Sequence, residues 1–252
     1  MKLKIHRDAR PQALTLLIAA AISIALWFIP YAEILTYPFR IFVTFIHEGG
    51  HAIAALLTGN QVASLSVAMN ASGETYTTQG GIFSQVLVSS AGYLGAMAYG
   101  ALLLLLIRRA VAARYVLIGS AVLILALTLR YGLWSPFTLL MGVLLVGGLF
   151  AIARFASPRV ATFFVSLLAV QCVLNALLDL KTVFFLSTPF APNVPTDAVN
   201  MSNATGIPAL FWAVLWIGVA IAILTGAMRI YAVSKNQAAS QQDLPFEEPL
   251  EV

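Results

Sequence analysis

The segment Phe45-Ile46-His47-Glu48-Gly49-Gly50-His51-Ala52 sits inside an otherwise apolar run, and its reading decides how the rest of the chain is understood. On a helix, residues four apart share a face, so His47 and His51 can each aim an imidazole nitrogen at one metal ion, with Glu48 beside them. Zinc favours neutral imidazole and carboxylate ligands, and a catalytic site keeps one position open for water, whose pKa the ion lowers to about 7. Glu48 is then the base that takes the proton from that water. The plainer reading, two histidines of a membrane helix that merely satisfy each other, sets three ionisable side chains at a depth where each costs roughly 2.5–3.5 kcal/mol or more. A bound ion offsets that cost, so one zinc per chain is expected.

Composition makes the surroundings of this motif a membrane protein. With 252 residues, 60% of them hydrophobic, only 10% charged and a mean hydropathy of +0.91, the chain is too apolar for a soluble domain of its length. The net charge of +4 and pI of 9.4 do not point to nucleic acid, because Lys and Arg stand at the ends of apolar segments, where they meet lipid headgroups. Cys172 is the only cysteine, which excludes an intrachain disulfide and leaves a packing role. The start, Met1-Lys2-Leu3-Lys4-Ile5-His6-Arg7, has the basic character of a signal, but the apolar stretch from Ala13 to Ile29 offers no small-x-small cleavage site before Pro30, so it is expected to be a retained first span.

About 20 apolar residues cross a bilayer, and seven segments are candidates, near 13–30, 35–58, 82–107, 115–133, 136–153, 160–186 and 208–231. Pro30, Gly59-Asn60, Arg108-Arg109, Ser135-Pro136, Ser157-Pro158 and the stretch from Pro189 to Pro195 separate them with residues that stop helices or anchor their ends. The expected fold is an all-α polytopic membrane protein of about seven transmembrane helices, with a short β-hairpin-like segment after the metal-binding helix. It forms one domain over residues 1–233, followed by a polar tail over 234–252 that has little apolar surface to bury. Such a chain belongs in a cell membrane, the inner one in a bacterium. Lys2, Lys4, Arg7 and Arg10 favour a cytoplasmic N-terminus, whereas seven crossings would put the larger group of Arg108, Arg109, Arg114, Arg154, Arg159 and Lys235 on the other side; a re-entrant segment reconciles the two.

Between the second and third segments, Ala63, Leu65, Val67 and Met69 alternate with Ser64, Ser66 and Ala68, the period of a half-buried strand, and Asn70 to Gly73 supplies turn residues. A hairpin over about 61–79 is expected, with a free edge on which an extended substrate could be aligned by strand addition; an ordinary polar loop is the alternative. In the third segment Gly92, Ala96 and Gly100 fall four apart, a small-residue face that lets helices approach closely, and the expected partner is the motif helix with its own Gly49 and Gly50.

Two histidines do not complete a zinc site, and the only other one, His6, is in the basic start, so the third ligand is expected to be a carboxylate. Asp179 lies well inside the sixth segment, where Gln171, Asn175 and Asp179 repeat every four residues as a polar stripe, and an intramembrane aspartate is a functional candidate by default. Its structural alternative is a partner for Lys181 or Arg130. Asp197 follows Pro195-Thr196 at what reads as a helix start, where capping is the ordinary role. The cost of intramembrane charge favours Asp179 as ligand, with Asp197 as runner-up, and Asn175 is expected to steady the ligand or to donate to a developing oxyanion.

Taken together, His47-Glu48-Gly49-Gly50-His51 in a membrane helix, the strand-like segment after it, the glycine-bearing third span and the later span with Asp179 resemble the site-2 protease-like intramembrane zinc metallopeptidases, in the compact branch without a PDZ domain. The resemblance extends from about residue 35 to 231. It implies zinc held by His47, His51 and Asp179, water activated by Glu48, and membrane-spanning protein substrates cut within or near the bilayer. This sequence departs from the better-known members in having Leu180 after Asp179 and Tyr93 after Gly92, where they have glycine and proline. Two other classes compete with this one. A catalytically inactive relative that binds membrane proteins has no use for Glu48, since structural zinc needs no base. An ion transporter predicts internal repeats, and the halves show no convincing similarity.

Overall fold

The computed structural model describes residues 10–109, 111–191 and 194–232. The basic start through Arg7 and the polar tail over 234–252 lie outside the described residues.

In chain order the elements are α1 (Arg10–Ala25), α2 (Glu33–Leu57), β1 (Val62–Val67), β2 (Gly73–Thr77), α3 (Ile82–Arg108), α4 (Ala113–Tyr131), α5 (Pro136–Phe155), α6 (Pro158–Leu186), α7 (Asp197–Thr205) and α8 (Ala209–Ala232). Among them α3, α4, α5, α6 and α8 are long and apolar enough to cross a membrane, so this is an integral membrane protein with five such helices among the described residues. The two other expected spans differ for separate reasons. At 1.5 Å per residue the described part of α1 covers about 24 Å, less than the other five. The longer α2 carries Glu33, Arg40, His47, Glu48 and His51, which lower its hydropathy.

Local chemistry sets several helix ends. Ser135 and Ser157 each accept a backbone N–H of the first turn, from Thr138 and Val160, and each is followed by a proline at the first helical position, whose missing N–H costs nothing there. Gly206 closes α7 with a φ of 74°, the left-handed geometry that glycine adopts without strain.

The central element is α3, which packs against α2, α6, α7 and α8. Its small residues serve two partners. A Cβ at Gly100 would press on Cys172, Val173 and Ala169 of α6, so that end of the stripe faces α6, contrary to the expectation of a single face turned to α2. Gly50 of α2 does meet α3: a Cβ there would overlap the Ala91 carbonyl. Gly49 faces α4 instead, against Leu127.

β1 and β2 form the expected antiparallel hairpin, packed on α2. A register shift between Val62 and Ser64 turns Val62 inward with Leu65 and Val67, while Ala63 and Met69 are exposed, so the simple alternation fails at both ends of the strand. Three residues on one face of α2 hold the turn. The Tyr37 hydroxyl donates to the Met69 carbonyl at 2.7 Å, Arg40 Nη2 to that of Asn70 at 3.4 Å, and the Thr44 hydroxyl to that of Ala71 at 2.7 Å. On the other side the buried Thr138 hydroxyl of α5 accepts from the Val67 N–H at 2.8 Å. β1 is therefore tied to the bundle, and β2 carries the other edge.

The close α2–α3 approach makes Gly50→Val destabilising by about 1–3 kcal/mol, because the added side chain meets backbone that cannot yield. Thermal unfolding of the purified variant in detergent should show a lowered midpoint; an unchanged midpoint would mean that the two helices can separate at little cost.

Candidate metal centre

His47 and His51 project from the middle of α2, one turn apart, and their Nε2 atoms lie 3.1 Å from each other. Asp197 Oδ2 lies 3.5 Å from the first and 3.4 Å from the second. Among the described residues these three form the one group of histidine, cysteine and carboxylate side chains able to hold a metal ion together. Their spacing fits the ion that the motif suggests, since tetrahedral ligands 2.0–2.1 Å from zinc lie about 3.3–3.4 Å apart.

The surroundings prepare each ligand. His51 Nδ1 donates to the Val88 carbonyl of α3 at 2.7 Å, which puts the ring proton there and leaves the Nε2 lone pair facing the centre. His47 rests edge-on against the Tyr93 ring, 4.6 Å between centroids, and Tyr93 in turn leans on Trp216, whose indole N–H donates to the Ser90 hydroxyl at 2.9 Å. Gly92 leaves the space in which the imidazoles meet, because a Cβ at this position would overlap both Nε2 atoms.

Glu48 is buried next to the pair. Its Oε2 accepts from the Thr75 hydroxyl of β2 at 2.7 Å, and the same hydroxyl lies 3.2 Å from the Glu48 backbone carbonyl. Glycine at position 73 is what lets the hairpin come this near. A Cβ there would fall 2.6 Å from Glu48 Cγ and 2.7 Å from Thr44 Cγ2.

Of the two aspartates considered from sequence, the structure brings Asp197 to the histidines and leaves Asp179 out of the group, reversing their order. The chain after Leu186 folds back so that α7 packs on α3 and α8. Thr196 takes the capping role by accepting the Val199 N–H, which leaves Asp197, at the first helical position, to face the imidazoles. Asp179 is exposed and pairs with neither Lys181 nor Arg130 among the described residues. Nor does the polar stripe of α6 point at the centre as a whole. Asn175 gives its amide to the Gln171 carbonyl and to Gln171 Oε1, at 2.8 and 3.1 Å, and Gln171 reaches the Ser23 hydroxyl of α1.

The centre opens on a cleft of about 980 Å³, bordered by β2, the first turns of α3 and α7. A model of the Peptidase M50B-like family matches residues 16–227. The chain belongs to this family, that of the site-2 proteases. No curated protein and no solved structure matches it. In this M50B-like chain the matched region holds every residue just described, the hairpin and α7 included. Sequence alone gives Gly73 only a turn role and does not single out Thr75 or Val88: strand pairing and helix packing bring them to the centre, and neither is encoded in local spacing.

Replacing Asp197 with alanine should abolish stoichiometric zinc binding, whereas Asp179→Ala should retain it, as read by metal analysis of purified, correctly inserted protein. Loss of zinc from Asp179→Ala with retention by Asp197→Ala would restore the order expected from sequence.

Proposed function

We propose that this protein is a zinc-dependent intramembrane endopeptidase that cuts membrane-spanning proteins, with His47, His51 and Asp197 as ligands and Glu48 as general base. Convergence of three ligand atoms within 3.1–3.5 Å of one another, with a buried carboxylate beside them, is the observation that carries this reading. Membership of a zinc-dependent peptidase family supports it. When bound, zinc supplies Lewis-acid polarisation of a carbonyl and a lowered pKa for water.

The chain's own residues do the rest. Glu48 has one oxygen held by Thr75, and that hydrogen bond fixes the rotamer in which the carboxylate can take a proton from water and pass it to the leaving amine. Burial keeps bulk water from screening the exchange. The β2 edge borders the cleft, so a substrate segment unwound from its helix has backbone groups to pair with before it reaches Glu48. The bundle then confines the exposed peptide bond within the bilayer, and the tether from Tyr37, Arg40 and Thr44 gives that edge a fixed position over α2.

Glu48→Gln keeps the shape of the side chain and removes its basicity, so it should bind zinc normally and cleave a model transmembrane substrate at least 100-fold more slowly. Full cleavage by this variant would exclude Glu48 as the base. Gly73→Ala should also retain zinc while lowering kcat, since its methyl group displaces Glu48 rather than a ligand; a variant that loses zinc, or cleaves at the parental rate, would contradict that role.

A further inference from the structure

Beside the main cleft lies a second cavity of about 300 Å³. The two share His47, Glu48, Gly73 and Tyr93, so the smaller cavity adjoins the metal centre. Its far wall is α6, which contributes Asp179 and Thr182. A space of this size takes an extended side chain but not a helix, whose diameter with side chains is about 10–12 Å.

Asp179 is the unusual feature of this wall. It sits in a long apolar helix and makes no hydrogen bond and no ion pair among the described residues. Arg40 borders the same cavity and acts on Asp179 through space, but its guanidinium donates to the Asn70 carbonyl of the hairpin turn. With Glu48 facing the metal position and Arg40 engaged at the hairpin turn, Asp179 is left as the carboxylate on this cavity without a direct partner. Its vacant counterpart is a cation on a flexible stem.

Resting on the metallopeptidase reading above, we propose that this cavity is a side-chain subsite that receives a lysine or arginine flanking the scissile bond of the substrate, with Asp179 as its counter-ion. A long aliphatic stem passes Tyr93 and Val183, which line the cavity, and carries its charge to the carboxylate. Asp179 then sets specificity rather than holding metal, which accounts for an intramembrane carboxylate close to the centre but outside its ligand group.

The hydroxamates of lysine, norleucine and glutamate test this, because each anchors to the metal by the same group and differs only in the side chain offered to the neighbouring space. Their affinities for the zinc-loaded full chain can be measured by calorimetry. Lysine hydroxamate should bind roughly ten-fold more tightly than the norleucine compound, with glutamate the weakest, and the lysine-to-norleucine ratio should fall toward one in Asp179→Asn. Arg40→Gln, which removes a competing cation, should raise that ratio several-fold, so the proposal stays testable if the first variant folds poorly. Equal affinity for all three compounds, a ratio that survives Asp179→Asn, or a ratio unmoved by Arg40→Gln would overturn the subsite. Failure of every hydroxamate to bind would instead remove the metal reading, and the subsite with it.

Discussion

Two imidazole nitrogens 3.1 Å apart inside an apolar bundle, with a carboxylate oxygen within 3.5 Å of both, are the arrangement on which the rest of this structure depends. Each group alone is expensive at this depth, and two unprotonated nitrogens at that distance repel unless a cation or proton stands between them. The fold therefore has to bring all three together or none. It does so from two helices far apart in sequence, α2 and α7, and the contact depends on a third. α3 supplies the Val88 carbonyl that orients His51, the Tyr93 ring behind His47 and the missing side chain at Gly92. A helix of larger residues would hold α2 away and fill the space where the ligands meet.

The hairpin answers a second requirement, that the Glu48 carboxylate be held beside the centre without filling the cleft. Its turn is strapped to α2 by three side chains spaced three and four residues apart, and its first strand is tied to α5 through Thr138. Those contacts put Thr75 against Glu48 on one strand and leave that strand's edge beside the cleft. Holding Glu48 and presenting a strand edge to the cleft are thus one structural act, which suits the proposed cleavage of membrane-spanning helices, whose backbone groups need a partner once unwound.

How much of this was legible in the sequence follows the range of the interactions. The paired histidines and Glu48 could be read because helical periodicity is local, and the membrane class because composition reports on solvent. The hairpin was visible in the alternation around Leu65 and Val67, but the register shift near Val62 was not, since a bulge depends on the partner strand. The two aspartates were ranked opposite to their distance from the histidines, for an instructive reason. Asp179 was favoured because an intramembrane carboxylate seems to demand a metal, and Asp197 was discounted because its segment looked like a loop that would have to enter the bilayer. α7 resolves that cost by packing on α3 and α8, a tertiary fact with no local signature beyond the Pro195-Thr196-Asp197 helix start. Of the seven expected spans, five helices are long and apolar enough to cross among the described residues, and the charged motif that marks α2 also lowers its hydropathy.

The central claim, that His47, His51 and Asp197 together hold zinc, is tested most directly by zinc K-edge absorption spectroscopy of the purified protein and of Asp197→Ala. The account predicts two imidazole nitrogens and oxygen neighbours at about 2.0–2.2 Å in the parent protein, with an oxygen contribution that is lost or altered in the variant. A first shell without imidazole, or one that Asp197→Ala leaves unchanged, would contradict it.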